Sequence, residues 1–158
     1  VPGYRFIFFL RKANRFKSTI LIGLFFRIIV KRMENKFGFQ ISYKTKIGHG
    51  FYIGHWGTIV ITHNAIIGKN CNINHLVTIG EASRGKLKGS PIIGDYVWIG
   101  AQSIIVGKIN IGNNVLIAPG TFVNFDVPSN SIVIGNPGKI IPKEDATYGY
   151  INRVQKHF

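Results

Sequence analysis

The stretch Ile93–Ile117, IGDYVWIGAQSIIVGKINIGNNVLI, has an isoleucine at every sixth position. Neither the α-helix, with about 3.6 residues per turn, nor the alternating β-strand has a period of six. Six residues can form a short strand with one aliphatic side chain pointing inward, followed by a corner. Three such sides close a coil of about 18 residues, and stacked coils pair their backbones about 4.8 Å apart. The stretch therefore predicts a parallel β-helix with isoleucines inside.

The same period extends over most of the chain, with two interruptions. The aliphatic anchors outside the opening stretch are Ile41, Ile47, Ile53, Ile59, Ile67, Ile73, Ile79 and Val123. The frame slips by two residues between Ile59 and Ile67, and again across residues 80–92. The second interruption contains EASRGKLKGSP at 81–91, which is polar and rich in glycine. We expect this segment to protrude as a loop.

Three segments follow from this periodicity. Residues 1–40 read as two basic amphipathic helices, the second ending before Gly38. Residues 41–142 form the β-helix, and residues 143–158 form a short tail for which we predict a helix from Asp145. The single cysteine, Cys71, excludes a disulfide framework and a cysteine-based zinc cluster.

The formal charge of +14 indicates an anionic partner, and much of it lies near the N-terminus. Residues 1–39 carry nine lysines and arginines against one acid, Glu34, interleaved with apolar runs. The run Ile20–Val30 contains Arg27 and is shorter than the roughly 20 residues that span a bilayer. Two interpretations remain open: the helices pack on the protein itself, or residues 1–36 contact an anionic membrane. We expect no secretory signal, and a cytoplasmic location at the inner membrane face.

Three histidines occupy equivalent places in the repeat. His49, His55 and His75 each follow an aliphatic anchor by two positions. His55 and His75 are 20 residues apart, which equals one coil plus the two-residue slip. We therefore expect these two imidazoles on the same side of the β-helix, one coil apart.

Several motifs resemble those of the hexapeptide-repeat acyltransferases. They are VTIG at 77–80, GDYVWIGAQSII at 94–105 and IVIGNPGKII at 132–141. The resemblance implies an all-β fold, a left-handed parallel β-helix of about five coils with short N-terminal and C-terminal helices. It also implies a homotrimer whose active sites lie between adjacent chains, so that each chain supplies part of a site.

The motif HWGT at 55–58 is similar to the HATG-like motif of serine acetyltransferases. That resemblance implies that His55 is the general base of a direct acetyl transfer, with His75 as a second catalytic-site residue. An imidazole suits this role because it titrates near neutral pH. Acetyl-coenzyme A is the implied co-substrate, without a metal. The residues implied to bind it are Gly80, Ala101, Pro119, Gly120 and Lys139.

Three departures from the serine enzymes bear on the acceptor. Gly54, Gln40 and Ser90 stand where those enzymes have two carboxylates and a second histidine. With no carboxylate to bind an amino group, we predict acetylation of a sugar hydroxyl in a surface polysaccharide or its lipid-linked precursor, as in the capsule and exopolysaccharide branch. The predicted acceptor-side residues are Trp56, Gln40 and Glu81. The alternative is a serine O-acetyltransferase or another small-molecule acetyltransferase.

Two other classes are disfavoured by the same residues. A γ-type carbonic anhydrase needs three zinc-binding histidines, and the histidine spacings do not match that pattern. A binding-only β-helix would need ranks of threonine for ice, or aromatic platforms among polar residues for nucleic acid. Neither pattern is present in the repeats, so we expect an enzyme that does not bind nucleic acid.

Overall fold

The computed structural model describes residues 2–151 and 154, and it places two helices before a column of short strands. The helices are α1 (Pro2–Arg15) and α2 (Ile20–Phe37). The strands form three sheets, which are the faces of a prism. Face A contains β1 (Phe39–Ile41), β4 (Ile59–Ile61), β7 (Thr78–Gly80), β10 (Ile104–Val106) and β13 (Phe122–Val123). Face B contains β2 (Lys46–Ile47), β5 (Ile66–Ile67), β8 (Ile92–Ile93) and β11 (Asn110–Ile111).

Face C completes the prism and closes its C-terminal end. It contains β3 (Tyr52–Ile53), β6 (Asn72–Ile73), β9 (Trp98–Ile99), β12 (Val115–Ile117), β14 (Ser131–Ile134) and β15 (Lys139–Pro142). Every pairing is parallel except that of β14 with β15. The predicted left-handed parallel β-helix of about five coils is confirmed.

The aliphatic anchors fill the interior of the prism. Ile53, Ile73 and Ile99 stack on one face, each no more than 1% exposed. Parallel strands that are covered on one side by the other two faces need such a continuous apolar column. The residues at the six-residue spacing in the sequence are therefore the residues of the hydrophobic core.

The two-residue insertion lies at a different place from the predicted one. Ile53 pairs with Ile73, and Ile61 pairs with Ile79 in the next coil. Eight positions separate Ile53 from Ile61, whereas six separate Ile73 from Ile79, so the extra residues occupy the corner that follows Ile53. The prediction was wrong because Ile59 and Ile61 are both buried, and either could continue the column.

The two helices form a hairpin that covers the N-terminal end of the prism. The ring of Phe6 packs against that of Phe39, with centroids 4.9 Å apart and both residues fully buried. Arg11 Nη2 donates a hydrogen bond of 2.6 Å to the carbonyl of Gly48. As predicted, α2 ends before Gly38, whose φ of 76° is left-handed and whose N–H donates to Glu34 O at 2.8 Å. Within the described residues, neither helix combines the length and hydropathy of a bilayer-spanning segment.

The loop 81–91 is closed at its base by an antiparallel bridge between Ala82 and Gly89. The tail forms turns over 144–150 where we predicted a helix, and the rest of that predicted helix lies largely outside the described residues. The side chain of Asn114 accepts hydrogen bonds from both N–H and Oγ1 of Thr147. Gly149 then takes a left-handed φ of 79°. The tail is therefore held against the prism at Thr147 in a turn conformation.

Candidate active site

The four histidines within residues 2–151 are distributed over all three edges of the prism. His49 lies on the edge between faces B and C, and His63 lies on the edge between faces A and B. His55 and His75 lie together on the edge between faces C and A. We call this the histidine edge, and its four connections are residues 54–58, 74–77, 100–103 and 118–121.

The two imidazoles on the histidine edge are direct neighbours. Their ring centroids are 5.7 Å apart and their planes meet at 84°, an edge-to-face arrangement. The stacking one coil apart that the spacing predicted is therefore present. The ring of His55 is exposed, whereas His75 is half-buried. Nδ1 of His75 is buried and has no hydrogen-bond partner among the described residues. An exposed imidazole can meet a substrate hydroxyl, with the second imidazole beside it as part of the wall.

The corner that carries His55 owes its shape to Gly57. This glycine has a φ of 144°, a conformation that other residues rarely adopt. A Cβ at this position would also approach Cβ of His75 to 3.2 Å. Because the insertion lies in this corner, its chain is longer than that of the next coil. Gly57 lets the longer corner pass close to His75.

Asn74 fills the space where the serine enzymes are expected to have a carboxylate. A Cβ at Gly54 would lie 2.8 Å from Oδ1 of Asn74. Nδ2 of Asn74 donates a 3.2 Å hydrogen bond to the carbonyl of Ile99, which holds the amide in place. Sequence reasoning missed this residue. Its signal was available, because Asn74 follows Ile73 at a repeat position that glycine occupies in the coils on either side.

Two of the predicted acceptor-side residues lie near the start of face A. Trp56 is 66% exposed, and its ring meets that of Phe37 at the end of α2, with centroids 6.4 Å apart. Gln40 is exposed on β1 and pairs in register with Val60. Among the described residues, no hydrogen bond joins Gln40 to His55.

Glu81 is remote from His55 within one chain. It follows β7, so it lies on the edge between faces A and B, with face A between it and the histidine edge. Its Oε2 accepts hydrogen bonds from Asn64 Nδ2 at 2.9 Å and from Ser90 Oγ at 3.1 Å. These bonds lower the pKa of Glu81 below its ordinary value. Glu81 therefore stays ionised at neutral pH. The charge of His63, on the same edge, also lowers the pKa of Glu81, whereas the imidazole of His55 could meet Glu81 only across a contact between chains.

Three of the predicted donor-binding residues continue the histidine edge. The N–H of Gly120 donates to the carbonyl of Ala101 at 2.8 Å, and Pro119 is exposed beside them. Backbone hydrogen bonds also connect these residues to the coil of the imidazoles, because the N–H of Gln102 donates to the carbonyl of His75 at 3.1 Å. These residues form one continuous strip above the histidines.

The other two predicted donor-binding residues lie beside this strip. Gly80 ends β7 on face A. Lys139 is exposed at the start of β15, opposite Ile134 at the C-terminal end of the prism. Within residues 2–151 and 154, no group of three or more His, Cys, Asp or Glu side chains is arranged to hold a metal ion.

Comparisons with known proteins agree with this architecture. Residues 90–124 match the family model Bacterial transferase hexapeptide (six repeats). Serine acetyltransferase 2 of Arabidopsis thaliana is 38% identical over 110 residues, which are 70% of this chain and 34% of that protein.

Two solved structures are also similar in fold. The serine acetyltransferase of Neisseria gonorrhoeae in complex with serine superposes with a TM-score of 0.75 and 34% identity, over 87% of this chain and 56% of that one. The serine acetyltransferase of Brucella abortus in complex with coenzyme A has a TM-score of 0.79 and 29% identity, over 90% of this chain and 57% of that one. This chain thus spans between a third and three fifths of the length of these relatives.

The comparisons correct the predicted acceptor. The polysaccharide O-acetyltransferase reading is wrong, since the matching relatives are serine acetyltransferases, and its alternative has the better support. The prediction rested on three positions, Gly54, Gln40 and Ser90, and similarity over 110 residues outweighs them. The prediction of an acetyltransferase that uses acetyl-coenzyme A agrees with the same comparisons. The chain therefore has the hexapeptide-repeat β-helix fold, and it is similar in sequence and structure to serine acetyltransferases.

Proposed function

We propose that this protein is an O-acetyltransferase that moves an acetyl group from acetyl-coenzyme A to the hydroxyl of a small molecule, with L-serine as the first candidate. The observation that carries the proposal is the His55–His75 pair on an exposed edge of a chain that is 38% identical, over 110 residues, to a serine acetyltransferase. The names of the relatives support the acceptor, and the solved complexes with serine and with coenzyme A support both substrates.

In the proposed reaction, His55 is the general base. Its exposed imidazole removes the proton from the acceptor hydroxyl while the oxygen attacks the thioester carbonyl. The tetrahedral intermediate then expels the coenzyme A thiolate, which takes up the proton carried by His55. The products are the O-acetyl ester and free coenzyme A. Direct transfer needs no acetylated residue, and the chain offers no reactive cysteine because Cys71 is buried.

The histidine edge also suits an elongated donor. Four steps of about 4.8 Å separate the coil of His55 from the end of the prism, a distance of about 19 Å. We assign the thioester arm to the strip formed by Ala101, Pro119 and Gly120, with Gly80 beside it. Lys139 at the far end supplies a cation for phosphate oxygens. This arrangement puts the acetyl group next to His55 and the charged end of the donor next to Lys139.

A second candidate is an acceptor hydroxyl on a small molecule without an ammonium group. The observation that favours it is that none of the six acidic side chains lies on the histidine edge. A buried or partly buried ammonium group normally requires a carboxylate partner. If L-serine is the acceptor, that carboxylate must reach the site from a neighbouring chain, and Glu81 is the acidic residue of the protruding loop.

We further propose that the working protein is a homotrimer in which the edge between faces A and B of one chain approaches the histidine edge of the next. The separation of Glu81 from His55 within one chain supports this arrangement, because a cyclic contact between unlike edges would bring the two together. Each of the three sites would then be completed by two chains.

The function is tested by measuring free thiol release from acetyl-coenzyme A in the presence of acceptors. We expect L-serine to stimulate release, and His55→Ala to lower kcat at least about 100-fold. His49→Ala, on another edge, is the matched control and should keep its activity. Stimulation by 3-hydroxypropionate but not by L-serine would favour the second candidate. Full activity of His55→Ala, or no stimulation by any hydroxyl compound, would contradict the proposal.

A further inference from the structure

The outer face of α2 carries a patch of exposed apolar side chains. Leu21 is 80% exposed and Phe25 is 60% exposed, although both are large hydrophobic residues. Residues three and four apart share one side of a helix, so these side chains form a single stripe. We call it the α2 stripe, and its members are Ile20, Leu21, Leu24, Phe25 and Ile28. A contiguous exposed apolar surface of this kind marks a site of interaction.

The protein's own packing uses the opposite side of the helix. Phe26 lies between the hairpin helices, with its ring centroid 5.7 Å from that of Phe16 and 6.3 Å from that of Phe9. Val30 is buried at 4% exposure. The two sides of α2 therefore have separate roles, and among the described residues no other element covers the α2 stripe.

Cationic side chains lie at both ends of the stripe. Before the stripe, Arg15 ends α1 and Lys17 lies in the turn between the helices. After it, Lys31 and Arg32 follow Ile28 by three and four residues, on the same side of α2. Residues 1–36 carry nine cationic side chains and one acidic one, Glu34, which is paired with Lys31 at 3.2 Å. The surface around the stripe is thus strongly positive.

This charge selects among the possible partners. If two copies met through the α2 stripe, two surfaces with a net positive charge would face each other, and their repulsion disfavours a self-interface. A nucleic acid would match the charge but would leave the apolar side chains without a use. An anionic membrane surface matches both features, because it binds cations at its headgroups and apolar side chains just below them.

We propose that the α2 stripe docks this protein on the surface of an anionic membrane. The stripe extends about 13 Å along the helix, so it enters the interface without spanning the bilayer. Arg15 and Lys17 at one end, with Arg32 at the other, contact the anionic headgroups. The end of α2 reaches Phe37, which touches Trp56 beside His55. The docked helix therefore leads to the histidine edge, about 14 Å beyond the stripe.

The proposal is independent of the acetyl-transfer chemistry, and vesicle flotation tests it with the full chain. We expect the protein to float with vesicles of phosphatidylcholine that contain about a quarter phosphatidylglycerol, and to float weakly with phosphatidylcholine alone. The double variant Leu21→Ser, Phe25→Ser should lower binding to the anionic vesicles about tenfold or more. The matched control is Ile66→Ser, Ile92→Ser, which removes two similarly apolar exposed side chains from face B and should bind like the parent.

A double substitution of cationic residues separates the electrostatic contribution to vesicle binding from the apolar contribution. Lys31→Gln, Arg32→Gln should weaken binding to anionic vesicles and leave the residual binding to neutral vesicles unchanged. Lys86→Gln, Lys88→Gln in the loop removes the same charge at another place, and it should have a clearly smaller effect. In a second measurement, brominated lipids should quench the fluorescence of Phe25→Trp more strongly than that of the parent, whose tryptophans are Trp56 and Trp98, whereas Ile66→Trp should show no added quenching.

Three results would overturn the proposal. In the first, Leu21→Ser, Phe25→Ser binds anionic vesicles as well as the parent does, while Lys31→Gln, Arg32→Gln still weakens binding. That result would mark a general polyanion-binding surface. Another is a lower particle mass of Leu21→Ser, Phe25→Ser in the absence of vesicles, measured by light scattering, which makes the stripe a protein interface. The third is no flotation of the parent with anionic vesicles.

Discussion

Gly80 and Gly120, two of the residues predicted to bind acetyl-coenzyme A, differ in what the fold requires of them. Gly120 has a left-handed φ of 70°, and a Cβ there would have no atom within 4 Å, so the backbone conformation explains why this residue is glycine. Gly80 lies outside the positive-φ region, and a Cβ there would make only ordinary contacts, at 3.5 Å with Val106 and 3.8 Å with Thr78. The fold alone does not explain Gly80, which leaves room for a ligand as the reason.

The substitution of each of these glycines by alanine distinguishes the two explanations. We expect Gly80→Ala to change the free energy of unfolding by less than about 0.5 kcal/mol and to raise KM for acetyl-coenzyme A. Gly120→Ala should cost about 1–2 kcal/mol of stability through left-handed strain. Denaturant unfolding and initial-rate kinetics measure both. An unchanged KM for Gly80→Ala would remove Gly80 from the donor site.

The one cysteine provides a second test at the residue scale. Burial raises the pKa of Cys71 to about 12, and its Sγ lies 3.2 Å from the carbonyl of Gly94. A thiol in this state is protonated and inert at neutral pH. We expect no reaction with Ellman's reagent at about pH 8 in the folded protein and full reaction after unfolding in guanidinium. Rapid reaction of the folded protein would show that the coil opens at Cys71.

The same pKa shift has a definite sign for stability. The unfolded thiol ionises at its ordinary pKa, whereas the folded thiol keeps its proton until about pH 12. Ionisation therefore favours the unfolded chain as pH rises between these values. Cys71→Ala should lose less stability than the parent across this alkaline window.

The helical hairpin is part of the β-helix core at its N-terminal end. Phe6 is fully buried against Phe39 of the first strand, whereas Phe8 on the same helix is 46% exposed. A coil at the end of a solenoid would otherwise leave its apolar interior open to water. The amphipathic helices therefore serve as a cap, and the outer face of α2 remains exposed to a partner.

A matched pair of substitutions tests this role of α1. We expect Phe6→Ala to lower the free energy of unfolding by about 3–5 kcal/mol, because it leaves a cavity between the helix and the prism. Phe8→Ala should change it by less than about 0.5 kcal/mol. Thermal melts followed by circular dichroism give both values. Equal melting temperatures for Phe6→Ala and the parent would mean that the cap folds independently.

At the scale of the whole molecule, the proposed trimer would divide each site between two chains. We expect Glu81→Gln to lower activity, since the loop carboxylate is the acidic group that a neighbouring chain would bring to His55. Coexpression of His55→Ala chains with Glu81→Gln chains should then restore activity, with about a quarter of the sites intact in randomly mixed trimers.

The control for this mixing uses two residues of the same edge. His55→Ala chains mixed with His75→Ala chains should regain no activity, because both side chains belong to one chain's half of the site. Mass measurement of the mixed particles confirms that exchange has occurred. A failure of the first mixture to regain activity in verified mixed trimers would contradict a site shared between His55 and Glu81.

Much of the architecture could be predicted because it depends on local periodicity. The sixfold isoleucine spacing predicts a three-sided coil, and Gly38 marks the end of the second helix. The 20-residue interval between His55 and His75 predicts that the two imidazoles are neighbours. Each of these conclusions uses residues that are close in sequence or one coil apart. The acceptor could not be read from three changed positions, because substrate choice depends on groups assembled from several coils and chains.

The sequence by itself determined the coil, the column of isoleucines and the edge that carries the two histidines, because a hydrophobic core imposes its period on the chain. Only the tertiary structure decided that the insertion lies at the corner of His55, that Asn74 occupies the space beside Gly54, and that Glu81 lies across face A. The physical reason is that these features depend on strand register and on contacts between coils. Either Ile59 or Ile61 satisfies the pattern, and pairing with the neighbouring strands selects between them.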